Sequence, residues 1–441
     1  MSYLAREKAL TLGISVLAGA LAALALSGLI PWWAVLVAVA VVPVLSKPEL
    51  LMFVAPWTLV AWVRLFSVAG SNFTPHDLVV VAMYGFCAVE LLVFKRAKVL
   101  QKSLWLLALA WLIFLPGAVA IILMFGPHKL LPGLAIHAKR FALPSIYPLF
   151  LVMFLKKRHV LALMTDWWAV GVLAMMMALL QFFSVSPQRA IGIFYNPNTA
   201  GAWAVLTVLL SLWGLKSGKK WFGLGLLAGF AGLAVSGSRS WFLGLIFALV
   251  GWMLVAGKKK LPVGLAAMGV LFGVLHFAAL DQGLLQRWRP LAQQGAEAPP
   301  AVMRLTIYRL GLIMIKKSPL VGYGPGGHRA VSASVYRSMD DMGKIGSYVY
   351  YSGMGVVDNL WLQHTAEFGL VGTFLLLIIL WIGFKASVGL RSQKWKGLFL
   401  SFGLALVPVS MFQSPLLSYW VTPAFWLLTG LALLKSQEEA K

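Results

Sequence analysis

Apolar runs of about 20 residues recur from one end of this chain to the other, the length a helix needs to cross a roughly 30 Å hydrocarbon layer. They predict spans over 9–30, 31–46, 50–70, 76–94, 103–126, 141–155, 160–184, 199–215, 220–237, 240–256, 261–280, 357–384, 397–413 and 420–434. That makes about 14 helices, or about 12 to 14 when the first hairpin and the shortest runs are discounted. The alternating pattern of a transmembrane barrel is absent. The first run flows through Pro31 into the second, so a retained hairpin is expected rather than a cleaved leader.

One long interruption, from Asp281 to Asp358, escapes the apolar pattern. Inside it, Leu305, Ile307, Leu310, Leu312, Ile313 and Ile315 mix with Arg304, Arg309, Lys316 and Lys317, which predicts an amphipathic helix over 303–317 lying at a membrane interface. Ser318 and Pro319 should end that helix, and GYGPGG then supplies a tight turn. The expected organisation is an all-α polytopic membrane protein: an N-terminal helix bundle over 1–280, a long extracytoplasmic loop over 281–356, and C-terminal membrane helices over 357–441.

Composition agrees, since 61% of the 441 residues are hydrophobic, 11% are charged and mean hydropathy is +0.86. The net charge of +24 does not imply a nucleic-acid partner, because most Lys and Arg sit in short clusters between apolar runs. Arg6 with Lys8, Lys95 to Lys102, Lys156 to Arg158, Lys216 to Lys220, Lys258 to Lys260, Lys385 to Lys396 and Lys435 all fall on one side if the spans alternate. By the positive-inside rule that side is the cytoplasm, and both termini face it. The lone cysteine, Cys87, excludes an internal disulfide and a thiolate metal cluster. No His pair stands at helical spacing, and adjacent Asp340 and Asp341 read as a solvated loop edge, so neither metal nor cofactor is expected.

The same alternation leaves Arg140, Arg189 and Arg239 on the outer side, against the charge rule. Each either snorkels to headgroups or caps a helix end, or it binds an anion. Arg64 is expected to pair with Asp77 or Glu90. His364 reads as a packed, hydrogen-bonded histidine, and Glu367, about 13 Å into a helix from Asp358, as a group needing a structural partner or a wet cavity. The Gly-rich turn either wraps a phosphate or simply reverses the chain, with His328 directly after it.

Four stretches carry a family resemblance: PQRAIGIFYNPNTAG, SGSRSWFLG, RLTIYRLGLIMIKKSPLVGYGPGGH and DNLWLQHTAEFGLVG. In this order the chain resembles the O-antigen ligase and O-antigen polymerase superfamily, membrane glycosyltransferases that move sugar chains off a polyprenyl pyrophosphate. The resemblance runs from about Arg189 onward. It implies a GT-C-like helical enzyme of the bacterial cytoplasmic (inner) membrane, with its site facing outward. The expected partners are an undecaprenyl-pyrophosphate-linked oligosaccharide donor, a saccharide acceptor and membrane lipid, with no nucleic acid.

It further implies that Arg189, Arg239 and Arg304 hold the pyrophosphate, since guanidinium binds phosphate bidentately without titrating. Arg140 and Arg309 are weaker candidates, Arg309 because it falls on another face of the helix. Ligases of this family carry His before the Asn, whereas this chain has Asp358 before Asn359, a departure resembling the polymerase-like members. Asp358 is either the base that deprotonates the acceptor hydroxyl or a helix N-cap, with Asn359 opening the helix. His328, Glu367 and Asn359 complete the candidate set. The leading expectation is a metal-independent polymerase of surface polysaccharide repeat units. The alternatives are a ligase placing finished chain on lipid A core or protein, and a lipid-linked oligosaccharide transporter.

Overall fold

The computed structural model describes residues 47–60, 65–68, 71–94, 101–184, 190–194, 196–256, 299–327, 331 and 359–440. Helices dominate: α1 (Leu50–Val60), α2 (Pro75–Phe94), α3 (Gln101–Leu112), α4 (Phe114–Phe125), α5 (Leu130–His137), α6 (Ile146–Phe154) and α7 (Val160–Ser184). They are followed by α8 (Pro197–Lys216), α9 (Gly223–Ser236), α10 (Arg239–Ala256), α11 (Pro299–Lys317), α12 (Leu360–Val388), α13 (Gln393–Phe412) and α14 (Thr422–Ala440). Among the described residues six helical stretches are long and apolar enough to cross a membrane: Pro75–Leu92, Gln101–Phe125, Lys157–Ser184, Pro197–Lys216, Leu360–Val388 and Gln393–Phe412. Three shorter apolar helices accompany them. The expected spans 9–30, 31–46 and 261–280, and most of the long loop, lie outside the described residues.

Two spans differ from expectation. The run 50–70 stops as helix at Val60 and continues into an antiparallel hairpin, β1 (Phe66–Val68) and β2 (Ser71–Phe73). Polar Ser67 and Asn72 face each other across it, Ser67 Oγ donating to Asn72 Oδ1 at 2.7 Å. The run 141–155 is the second half of a longer helical path, 130–154, broken by a π-turn at Ala138–Ala142 and a 3-10 turn at Leu143–Ser145. Lys139 and Arg140 both sit in that π-turn.

Packing explains which helix is central. In an 18-residue stretch of α8, 83% of the residues are buried, against 33% in the corresponding stretch of α12, whose outward face keeps Leu370, Phe374 and Trp381 exposed. Exposed Leu92, Leu123, Phe183 and Leu254 continue this apolar outer surface, as expected where lipid tails replace water. Close approach inside the bundle rests on small residues. A Cβ at Gly229 of α9 would lie 2.7 Å from Val208 Cγ2 and 2.9 Å from the Ala204 carbonyl oxygen of α8. One aromatic column crosses the core: Trp167 stacks on Trp203 at 5.8 Å, and Phe194 on the other side of Trp203 at 5.5 Å. Trp203 also donates through Nε1 to the Trp420 carbonyl, tying α8 to the approach of α14.

The segment 303–317 is helical as part of α11, which begins a turn earlier at Pro299, a residue suited to the first helical position. Ile307, Leu310 and Met314 are buried while Leu305 and Leu312 are exposed, so one stripe packs inward, against α12.

Candidate functional site

The site is built where one set of helix ends gathers. Asn196 is the N-cap of α8, its side chain accepting from the Asn198 N–H at 2.8 Å, and Pro197 takes the first helical position. Asn198 Oδ1 accepts from Ser238 Oγ at 3.1 Å, joining the start of α8 to the turn between α9 and α10. Gly237 makes that turn possible by ending α9 in the left-handed region at φ 59°. Ser240 on the first turn of α10 accepts a short bond from Gln413 Nε2. Upstream, Gln181 Oε1 accepts from the N–H groups of Ile191 and Gly192, and the Ala190 N–H donates to the Val235 carbonyl.

The last residues of α13 and its exit form a hub. The Met411 carbonyl accepts from Asn359 Nδ2 at 3.0 Å and from the Tyr308 hydroxyl. The Arg304 guanidinium lies over the Phe412 ring, 5.5 Å from its centroid. Gln413 reaches Ser240, the residue after Arg239. Arg304 on α11 and Ser240 on α10 therefore meet one three-residue segment, and half-buried Arg239 precedes Ser240 at the head of α10. Arg309 is exposed on another face of α11. Arg189, His328 and Asp358 lie outside the described residues.

The N-cap of α12 is Asn359 and not Asp358. Asn359 has extended backbone (φ −156°, ψ 123°), and its Oδ1 accepts from the Leu362 N–H at 3.0 Å. The cap reading of Asp358 is corrected accordingly, because Asn359 already occupies that role with backbone and side chain together.

The Gly-rich turn is corrected as well. Its backbone is engaged with α12, not arranged around an open phosphate cradle. Gly369 breaks α12 with φ 66° and ψ −172°. That break frees two helix donors and two helix acceptors, and the segment 319–324 takes up all four. The Leu370 N–H donates to the Pro319 carbonyl at 2.8 Å and the Val371 N–H to the Leu320 carbonyl at 3.3 Å. In return the Tyr323 and Gly324 N–H groups donate to the Ala366 and Glu367 carbonyls at 2.8 and 2.7 Å. A Cβ on Gly369 would stand 2.0 Å from the Leu320 oxygen, so only glycine permits the dock.

Glu367 lies at the centre of this arrangement and is 1% exposed. Its Oε1 accepts from the Gly326 N–H at 3.1 Å and from Gln363 Nε2 at 3.4 Å, and Arg140 Nη1 stands 3.7 Å away. Arg140 thus has a carboxylate partner, and a burial this deep requires one. His364 packs on Phe368 at 4.7 Å, with Nε2 3.3 Å from the Gly372 carbonyl oxygen. Asp77 pairs with Lys139 at 3.5 Å, and it accepts from the Thr74 hydroxyl and N–H at 2.9 and 2.8 Å at the start of α2; Arg64, for which Asp77 or Glu90 was the expected partner, lies outside the described residues. Lys139 also stands over the Tyr419 ring at 4.8 Å, and the Tyr419 hydroxyl meets Thr74. Burial first, then the Asp77 charge, pushes the Tyr419 phenol up, which keeps it a neutral hydroxyl.

Between these groups lies a cavity of about 210 Å³. Its polar wall includes Arg140, Asn196, Asn198, Gln363, Gln413 and Ser418. Lys139, Gln363 and Gln413 were not singled out by motif reasoning. The available signals were weak: Lys139 adjoins Arg140, Gln363 precedes Glu367 by one helical turn, and Gln413 is the polar residue closing an apolar run. Among the described residues no three His, Cys, Asp or Glu side chains gather as a metal site.

Residues 224–377 match the family model described as O-antigen ligase. The match takes in α10, α11, the docked turn and the first half of α12, and it stops short of Arg140, the Asn196 cap and Gln413. No curated protein matches the chain.

Proposed function

We propose, from the premise that its 224–377 segment makes this chain a member of the O-antigen ligase and polymerase superfamily, that it polymerises oligosaccharide repeat units from undecaprenyl pyrophosphate. Membership itself carries the coarser statement, a multi-pass membrane glycosyltransferase of the ligase and polymerase type. The observation that supports the finer reading is the convergence of Arg304, the Asn359 cap and Ser240, the residue after Arg239, on residues 411–413.

In the proposed reaction an acceptor hydroxyl attacks the anomeric carbon of the lipid-linked sugar. The bond from that carbon to the pyrophosphate oxygen breaks, and the carrier leaves as an anion. Asp358, the residue before the anchored Asn359, takes the hydroxyl proton. Arg239 stands at the positive end of α10, where a cation gains nothing from the helix dipole but an anion gains from both. Arg304 and Arg189 complete the pyrophosphate seat, and charge developing on the leaving group makes these contacts count in the transition state.

The reaction would run at the outer face of the bacterial cytoplasmic membrane. The described basic clusters support that orientation, since Lys156–Arg158, Lys216–Lys220 and Lys385–Lys396 lie at helix ends opposite the hub. A ligase acting from the same site is the second reading, favoured by the description of the matching family. Incubating purified protein with a lipid-linked oligosaccharide alone separates the two. A ladder of longer lipid-linked chains identifies a polymerase; transfer only after adding lipid A core or an acceptor protein identifies a ligase. No product under either condition overturns the proposal.

A further inference from the structure

The surroundings of α12 change at its break. From Leu360 to Gly369 none of its residues is exposed, whereas Leu370, Phe374, Leu377 and Trp381 beyond it form a bare apolar face. Leu370–Val388 spans about 28 Å at 1.5 Å per residue, close to the roughly 30 Å of a hydrocarbon layer. The break at Gly369 therefore marks the level at which α12 enters lipid, and Lys385 in its last turn marks the opposite side.

The end of α11 is pinned to that same level. The Leu370 and Val371 N–H groups donate to the Pro319 and Leu320 carbonyls at 2.8 and 3.3 Å, which fixes the chain directly after the helix. Lys316 and Lys317, the last two residues of α11, stand just before this contact, and both are exposed. Lys316 shares a helix face with exposed Leu312, and exposed Leu320 follows. Lysines so placed lay their apolar stems on lipid and hold their ammonium groups among the headgroups. Among the described residues neither lysine pairs with a carboxylate, and 299–327 contains no Asp or Glu. The dipole of α11 favours cations in its last turn whatever surrounds them. The register against α12 is what brings these two to headgroup level.

We infer that Lys316 and Lys317 seat the phosphate of an anionic phospholipid, and that the bound headgroup holds the segment 319–324 in its dock on α12. Two ammonium groups match the phosphodiester in charge, and the acyl chains beneath it cover Leu320, Leu370 and Phe374. The lysines are fixed at this level only while the segment is docked, so the lipid binds the docked state and stabilises it by mass action. The inference is independent of the transfer chemistry.

The test uses the full chain in nanodiscs of phosphatidylcholine alone, or of phosphatidylcholine mixed equally with phosphatidylglycerol. Hydrogen exchange of the backbone amides in 318–327 is read by mass spectrometry and should be about tenfold slower in the anionic discs. Lys316→Gln combined with Lys317→Gln should remove that difference. Lys219→Gln combined with Lys220→Gln, at the other end of the bundle, should leave it intact, which separates this seat from the general attraction of anionic lipid to basic clusters. Inorganic phosphate added to the phosphatidylcholine discs should not reproduce the slowing. Equal exchange of the wild type in the two lipids overturns the inference, as does a difference that survives the Lys316 and Lys317 double variant. Loss of the difference in the Lys219 and Lys220 double variant, or slowing by free phosphate, overturns it too. A role confined to the helix dipole would instead give faster exchange in the Lys316 and Lys317 double variant with no dependence on lipid in either protein, and that result also rules the seat out.

Discussion

Arginine does different work at different positions of this protein. Arg140 has a carboxylate 3.7 Å away, while Arg304 lies over an aromatic ring and Arg239 heads a helix whose dipole favours an anion. Arg239→Ala and Arg304→Ala should therefore each lower transfer by about 10²–10³-fold, as removal of a preorganised charge contact does. Membrane insertion and melting temperature should hold, checked on the purified variants; near-normal product from either removes that residue from the mechanism. Asp358 and Asn359 separate just as cleanly, because Asn359 alone caps α12 and anchors it to Met411. Asp358→Asn should abolish transfer with little change in melting temperature. Asn359→Ala should instead lower stability by about 1 kcal/mol through the lost cap. Retained activity in Asp358→Asn would exclude it as the base.

At the scale of elements, the telling contact is the exchange of backbone hydrogen bonds between the segment 319–324 and the broken turn of α12. The turn holds α12 open at Gly369, and α12 in turn holds the turn, so neither conformation persists without the other. Gly369→Ala introduces a Cβ 2.0 Å from the Leu320 oxygen at a φ of 66°, and it should release the dock. We expect a lower melting temperature and new protease cleavage between Ser318 and Gly327, read by mass spectrometry of the fragments. Unchanged cleavage would mean that the dock contributes nothing to order in this segment. Release would also withdraw the Gly326 N–H from Glu367, linking the turn to the cavity wall through one carboxylate.

Across the whole molecule, charge and helix direction define two ends. The hub, the Asn196 cap and the docked turn occupy one; the described basic clusters occupy the other. Buried Cys87 is the single cysteine, so its replacement by alanine gives a clean background for labelling. In intact cells Pro127→Cys should react with a membrane-impermeant maleimide and Ser217→Cys should not, whereas the reverse result would invert the proposed orientation.

The repeated apolar runs determined by themselves that the chain is helical and crosses a membrane repeatedly, because burying backbone in lipid leaves few other solutions. Local chemistry was equally legible: Pro-Asn around α8, the stop at Ser318–Pro319, and the order of stretches that marks the family. Pairing was not legible. That Lys139 meets Asp77, that Arg140 meets Glu367, and that the Gly-rich turn repairs a broken helix all depend on which helix faces meet. The apolar period reports that a face is greasy but not which neighbour it faces, and in lipid nearly every face is greasy. Only the tertiary structure could decide those partners, and with them the cavity that Arg140, Gln363 and Gln413 wall.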